Sequence, residues 1–101
     1  MIIDGNNNNF DIEISNGIVL VDFNASWCGP CRMLRPILDD VIKEKPDSKI
    51  ISVNVDNNEQ LASRYNIFSI PCLILFKDGK EANRTVGLKS KEEIIKLLEE
   101  V

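Results

Sequence analysis

The sequence contains no histidine and only three cysteines. Without histidine, neither a Ser-His-Asp triad nor a Cys-His protease pair can form, and imidazole cannot serve as a metal ligand. Three cysteines are also too few for a disulfide framework, which needs an even set of at least four. Any chemistry must therefore come from thiols, carboxylates or the backbone.

Long apolar runs are absent as well, and the most prominent ones cover residues 18–21 and 73–76. A membrane-spanning helix needs about 20 apolar residues, so no membrane partner is expected. The first residues lack the positive and apolar regions of a signal peptide, which predicts a cytoplasmic location. Twelve Lys and Arg against 16 Asp and Glu give a net charge of −4. This balance disfavours a nucleic-acid partner, because binding phosphates requires clustered cations.

A length of 101 residues predicts one domain, covering residues 1–101. The predicted strands are 2–3, 18–24, 50–55, 72–77 and 81–86, and the predicted helices are 10–14, 31–45, 58–65 and 90–101. The segment 10–14 is too short for its pattern to settle whether it is helical. Alternating strands and helices favour parallel pairing, and Asp78-Gly79 predicts a late antiparallel hairpin. The predicted fold class is α/β, with a mixed central sheet of about five strands flanked by about four helices.

Two helices carry apolar residues at helical spacing. The predicted buried stripe of segment 31–45 consists of Met33, Leu34, Ile37, Leu38, Val41 and Ile42. Pro36 lies within this stripe and is expected to kink the helix. In segment 90–101, Ser90 and Glu93 form a predicted capping box. The predicted apolar face of this last helix consists of Ile94, Ile95, Leu97, Leu98 and Val101.

Two cysteines stand three positions apart in Trp27-Cys28-Gly29-Pro30-Cys31, between a predicted buried strand and a predicted helix. Cysteines at this spacing on a helix face each other and can close a small disulfide ring. Cys28 lies at the helix N-terminus, where unpaired N–H groups and the helix dipole favour the reactive thiolate. Pro30 suits the first helical turn, where its missing N–H costs nothing, and Gly29 leaves the sulfur uncovered. This pattern predicts thiol chemistry at Cys28.

Several motifs spaced along nearly the whole chain resemble the thioredoxin family. They are Val21-Asp22-Phe23, Trp27-Cys28-Gly29-Pro30-Cys31, Pro36, Ile70-Pro71, Phe76-Lys77-Asp78-Gly79 and Val86-Gly87. The resemblance implies the thioredoxin fold and a general reductase of protein disulfides, working through reversible dithiol–disulfide exchange at Cys28 and Cys31. It also implies a monomer with no bound cofactor or metal. Its partners would be client proteins with disulfides and thioredoxin reductase, a flavoprotein that supplies electrons from NADPH.

Asp22 precedes Cys28 by six residues in the predicted strand 18–24. Period-two alternation places its side chain with Ile18 and Leu20, so it should point into an apolar layer. Desolvation there raises the pKa of a carboxyl and suits it to accept a proton near neutral pH. The resemblance implies that Asp22 deprotonates Cys31, directly or through water. The alternative is a carboxylate at a frayed strand end.

The resemblance also implies a flat apolar docking surface around Cys28. Its members would be Trp27, Gly29, Pro30, Ile70, Pro71, Val86, Gly87 and Leu88. Pro71 matches the family's cis-proline, which would leave the Ile70 backbone free to pair with an extended client segment. The alternative for Pro71 is an ordinary trans proline at a strand start. Composition alone would assign Val86 and Leu88 to the core.

Three positions near these motifs depart from the familiar family pattern. Cys72 stands where many relatives have Thr, and it is either a third thiol open to oxidation or an inert, buried small hydrophobe. It could also join Cys28 and Cys31 in a zinc site, although a tetrahedral site needs four ligands. Asn24 replaces a common Trp, and Ser52 replaces a Lys that often lies near the buried carboxyl. Because a nearby cation lowers the pKa of a carboxyl, we expect the pKa of Asp22 to be higher in this chain than in relatives that carry the Lys.

Two other functions would use the same residues. A binding module could employ the docking surface without turnover, but it would need neither an intact Cys-x-x-Cys motif nor Asp22. An oxidase or isomerase of the same fold usually carries a His or another pair between the cysteines, whereas Gly29-Pro30 is typical of the reductant. Arg32 and Arg35 could help to hold a thiolate, although a solvated helix face is the simpler explanation of both.

Overall fold

The computed structural model describes residues 1–101 and contains five strands and four helices, as predicted. The strands are β1 (Ile2–Asp4), β2 (Ile18–Asn24), β3 (Lys49–Asn54), β4 (Cys72–Lys77) and β5 (Lys80–Val86). The helices are α1 (Phe10–Glu13), α2 (Gly29–Glu44), α3 (Glu59–Arg64) and α4 (Lys91–Glu99). None of these helices combines the length and the apolar character that crossing a membrane would require.

The five strands form one mixed sheet in the order β1-β3-β2-β4-β5. β1 and β2 both pair in parallel with β3, while β4 pairs antiparallel with β2 and with β5. The turn between β4 and β5 places Asp78 at φ 50° and Gly79 at φ 84°, the left-handed region that a two-residue hairpin turn requires. The mixed sheet and the hairpin are therefore confirmed.

Apolar clusters cover both faces of the sheet, which explains the nearly continuous apolar character of β2 and β4. The cluster on the α1/α3 side consists of Phe10, Ile14, Val19, Val21, Phe23, Ile51, Val53, Leu61, Cys72, Ile74 and Phe76. The cluster on the α2/α4 side consists of Leu20, Leu34, Leu38, Val41, Ile50, Leu73, Leu75, Ile94 and Ile95. Successive residues of β2 alternate between the two clusters, so Asp22 shares the α2/α4 side with Leu20.

α2 begins at Gly29, two residues before the predicted start, because Cys28 rather than a later residue caps it. Its buried stripe is narrower than predicted: Met33 is 60% exposed, so its assignment to the core is wrong. Met33 lies about 100° around the helix from Leu34, which turns it away from the sheet. The helix continues through Pro36, which lies on the exposed side of the helix.

α4 has the predicted capping box: the Glu93 amide donates to Ser90 Oγ, and the Glu93 carboxylate accepts from the Ser90 amide. Ile94 and Ile95 are buried against the sheet, as predicted. Val101 is exposed and follows the end of α4, so its place in the buried face is wrong.

Candidate active site

The two cysteines of the motif lie where β2 leads into α2. Cys28 is the N-cap of α2 and is joined to Cys31 by a disulfide, with 5.2 Å between the Cα atoms. The Cys31 amide donates to Cys28 Sγ at 3.2 Å. Both residues are only 5% exposed, so exposure does not distinguish them. The helix N-terminus distinguishes Cys28 from Cys31, because its N–H groups and dipole act on Cys28 Sγ and would stabilise a thiolate there after reduction.

The loop before β4 faces Cys28. Cys28 Sγ lies 4.0 Å from the carbonyl oxygen of Ile70, and the Ile70–Pro71 peptide bond is cis, so the trans alternative is wrong. The backbone N–H and C=O of Ile70 make no hydrogen bond to other backbone groups. A side chain added at Gly29 would meet no other atom within 4 Å. The Cys28 sulfur therefore adjoins an unpaired stretch of backbone and an uncovered glycine.

Asp22 is 2% exposed and lies in the middle of the sheet, where it pairs in register with Ser52 of β3 and Leu73 of β4. The frayed-end alternative is therefore wrong. Its Oδ2 accepts from Asn24 Nδ2 at 3.2 Å, whereas its Oδ1 has no hydrogen-bond partner. Burial raises the pKa of Asp22 from 3.8 to about 6, opposed by the Asn24 hydrogen bond and by the positive charge of Arg35. This carboxyl can change its protonation state close to neutral pH.

Asp22 and Cys31 both line a cavity of about 200 Å³. Asn24, Ser52 and Arg35 line it as well. Since a water molecule occupies about 30 Å³, the cavity has room for several. Sequence reasoning identified Asn24 and Ser52 only as departures from a pattern, and the structure shows them in contact with each other, with Asn24 Nδ2 2.8 Å from Ser52 Oγ.

The predicted docking residues lie at the same end of the sheet. Trp27 is 68% exposed, and Val86 and Leu88 are also exposed, so assigning the latter two to the core is wrong. The indole N–H of Trp27 donates to Asp56 Oδ2 at 2.8 Å. Sequence reasoning missed Asp56. The signal was available, since Trp27 and Asp56 follow two strands whose parallel pairing brings their carboxyl ends together.

Cys72 belongs to the α1/α3-side cluster and is 2% exposed, whereas Cys28 and Cys31 pack with Ala25 in a separate small cluster. Burial raises the pKa of the Cys72 thiol. No three His, Cys, Asp or Glu side chains come close enough together to hold a metal ion. Cys72 therefore does not supply the third sulfur that a zinc site would need, and its surroundings fit the small buried hydrophobe.

Comparison with known proteins agrees with this geometry. The Thioredoxin family model matches residues 1–100. Thioredoxin from Chlamydia trachomatis is 51% identical over 90 residues, covering 89% of this chain and 88% of that protein. Thioredoxin from Bacillus subtilis is 41% identical over 98 residues, covering 96% of this chain and 94% of that protein.

The structural similarity extends over the same range. A mutant thioredoxin from Halobacterium salinarum superposes with a TM-score of 0.90 at 36% identity, covering 98% of this chain and 88% of that chain. The chain therefore belongs to the thioredoxin family, and its Cys28–Cys31 pair makes it a protein disulfide oxidoreductase.

Proposed function

We propose that this chain acts as a single monomeric domain that reduces client disulfides, with Cys28 as nucleophile, Cys31 as resolving thiol and Asp22 as base. The observation that carries the proposal is the Cys28–Cys31 disulfide at the N-terminus of α2. A disulfide that can open and close there couples a stabilised thiolate to a second thiol within reach.

The first step uses Cys28. Its thiolate attacks one sulfur of the client disulfide, so a mixed disulfide forms and the other client sulfur leaves as a thiolate. The N–H groups at the start of α2 stabilise the attacking charge. One client sulfur is then bound to Cys28, and the pair has formally given up one of the two electrons that the whole reaction transfers.

The second step uses Cys31 and Asp22. The Asp22 carboxylate accepts the Cys31 proton through water in the cavity between them, and the resulting thiolate attacks Cys28 Sγ. The Cys28–Cys31 disulfide forms, the bond between Cys28 and the client breaks, and the second client sulfur leaves as a thiolate. Two electrons have then passed from the pair to the client.

The client binds to the docking surface around Cys28. This docking surface consists of Trp27, Gly29, Pro30, Ile70, Pro71, Val86, Gly87 and Leu88. The unpaired backbone groups of Ile70 suit the addition of an extended client segment, which would place a client disulfide beside Cys28. Backbone pairing tolerates many client sequences, as a general reductase requires.

Electrons must return to the pair after each cycle. We assign that step to a separate flavoprotein reductase, thioredoxin reductase, that uses NADPH, because the chain has no glycine-rich nucleotide-binding motif of its own. Family membership also supports a cytoplasmic location, where such pairs are kept reduced.

The test is reduction of insulin by dithiothreitol, with and without the protein. We expect strong acceleration by the wild-type chain and none by Cys28→Ser, because no other thiol lies both at a helix N-terminus and beside the docking surface. Cys72→Ser serves as the matched control and should keep full activity, since Cys72 lies in the other cluster. Full activity of Cys28→Ser would refute the mechanism.

A binding module and an oxidase are the two competing functions. A binding module would show no acceleration at all in the insulin assay, with or without Cys28. An oxidase would hold its disulfide at a more oxidising potential than a reductase does, so redox titration separates the two enzymes.

A further inference from the structure

Asn24 lies beside Asp22 in a way that the proposed function does not explain. Both residues are on β2 and, two positions apart, point to the same side of the sheet. Asn24 Nδ2 is 3.2 Å from Asp22 Oδ2, 3.1 Å from the Asp22 carbonyl oxygen and 2.8 Å from Ser52 Oγ. Asn24 therefore holds the carboxyl, its backbone and the neighbouring strand together.

The amide of Asn24 has two hydrogens for these three acceptors. Ser52 Oγ is the closest acceptor, so it competes with Asp22 Oδ2 for them. The bond to the carboxylate is consequently weaker than an unshared one would be. Removing Ser52 Oγ should strengthen the hydrogen bond from Asn24 to Asp22 Oδ2, and removing the Asn24 amide should abolish it.

The two oxygens of Asp22 thus have different surroundings. Oδ2 is held by Asn24, whereas Oδ1 is buried without a partner, and the residue lines the cavity that Cys31 also lines. A carboxylate that is free to rotate would present either oxygen to Asn24. A carboxylate held through Oδ2 keeps one orientation beside the cavity that Cys31 also lines.

Few other charges act on this carboxyl. α2 contributes the positive charge of Arg35 and places Arg32 and Cys31 along the same cavity, and the Cys72 thiol of β4 is neutral near pH 7 because burial raises its pKa. β3 contributes only the neutral Ser52 at the paired position. Asn24 is therefore the one neutral side chain that donates directly to Asp22.

We propose that Asn24 is a positioning residue, which holds the Asp22 carboxyl through Oδ2 in one orientation beside the cavity across which it exchanges the Cys31 proton. This inference rests on the proposed role of Asp22 as the base for Cys31. It assigns a task to a residue that the sequence identified only as a departure from the family pattern.

The test combines two readouts on Asn24→Leu, which keeps the volume and removes the amide. In the reduced protein, carbon-13 NMR follows the titration of the Asp22 carboxyl; stopped-flow kinetics follows release of a client from its mixed disulfide with Cys28. We expect the pKa of Asp22 to rise, since a donor to the charged form is lost. The pH profile of release should move upward with it, and a move of about one pH unit would slow release about fivefold at pH 6 and less than about twofold at pH 7.

Ser52→Ala gives the opposite expectation and guards against misfolding of the first variant. It frees an amide hydrogen for Oδ2, so the pKa of Asp22 and the pH profile should both move down. Asn83→Leu, an exposed asparagine on β5, is the matched control and should change neither.

The outcomes distinguish the positioning role of Asn24 from the base role of Asp22. If Asp22→Asn slows release while Asn24→Leu and Ser52→Ala leave the Asp22 titration and the pH profile unchanged, the positioning role is refuted and the base role stands. If Asp22→Asn leaves release unchanged, the base role fails, and the positioning role fails with it. Opposite shifts in the two variants support both.

Discussion

Asp22 is the only carboxyl buried in the core, and it lies on the strand that leads into the Cys28–Cys31 pair. Burial among Leu20, Leu73 and their neighbours disfavours its charge, and the pKa of Asp22 rises to about 6 for that reason. The alternation of β2 was enough to predict that this side chain points inward. The Asn24 contact was not predictable, because an asparagine at a strand end is ordinarily solvated.

The raised pKa of Asp22 has a consequence for stability. A native carboxyl with a pKa of about 6, against 3.8 in the unfolded chain, binds its proton more tightly when folded. The buried charge of Asp22 therefore destabilises the folded state as the pH rises: the effect is absent below pH 3.8 and complete above about pH 6. We predict that Asp22→Asn stabilises the protein by about 3 kcal/mol at pH 8 and by almost nothing at pH 3.

Urea denaturation of both proteins across this pH range measures the effect. The difference in the free energy of unfolding should open between pH 4 and about 6 and then stay constant. A pH-independent difference would show that Asp22 is not the group responsible.

Ser52 offers a second change at this site. Ser52 pairs in register with Asp22, so Ser52→Lys places an ammonium group next to the carboxyl. A nearby cation favours the charged form, and the pKa of Asp22 should fall. NMR titration of the Asp22 carboxyl in the wild-type and Ser52→Lys proteins tests this expectation, and identical titration curves would contradict it.

α2 is the element that carries the site, and its stability depends on a narrow stripe. Leu38 is completely buried in the α2/α4-side cluster, whereas Met33 on the same helix is 60% exposed. We predict that Leu38→Ala costs about 2–5 kcal/mol of unfolding free energy, because it removes packed atoms and leaves a cavity. Met33→Ala should cost less than about 0.5 kcal/mol.

Thermal and urea denaturation of the two variants provide the comparison. Since both changes shorten an apolar side chain on one helix, helix propensity affects them alike. Equal losses would mean that the stripe is wider than the structure shows.

The elements were predictable to different degrees. The bounds of β2 and β4 agree with the prediction because both strands are buried on two faces and end at polar residues or Pro71. The start of α2 was placed two residues late because the apolar stripe that predicted the helix does not include Gly29 and Pro30, although Cys28 was expected at its N-terminus. The role of Asn58 was also missed: its side chain bonds Asn7 and Asn54 instead of capping α3, and the contact with Asn7 spans 51 residues.

At the scale of the whole molecule, the sheet separates Cys72 from the redox pair. Cys72 is buried on the α1/α3 side, and burial raises the pKa of its thiol, so little reactive thiolate forms. We predict that iodoacetamide labels Cys28 of the reduced native protein, while Cys72 is labelled only after denaturation. Peptide mapping by mass spectrometry shows which cysteine is modified, and labelling of native Cys72 at the rate of Cys28 would contradict its inert role.

The resemblance to a family supplied what local patterns could not. The cis bond before Pro71 and the exposure of Val86 and Leu88 depend on how distant segments meet at one end of the sheet. Strand and helix periodicity describe each segment alone. The site arises where the ends of β2, β3 and β4 converge, and only the assembled sheet brings those ends together.

The reductase function is tested most directly by the midpoint potential of the Cys28–Cys31 pair. The protein is equilibrated with dithiothreitol at a series of ratios of reduced to oxidised reagent, and the thiol state is read by alkylation and mass spectrometry. A reductase of client disulfides should have a potential at or below about −230 mV, on the reducing side of most thiol couples. A potential of about −180 mV or higher, typical of isomerases and oxidases, would contradict it.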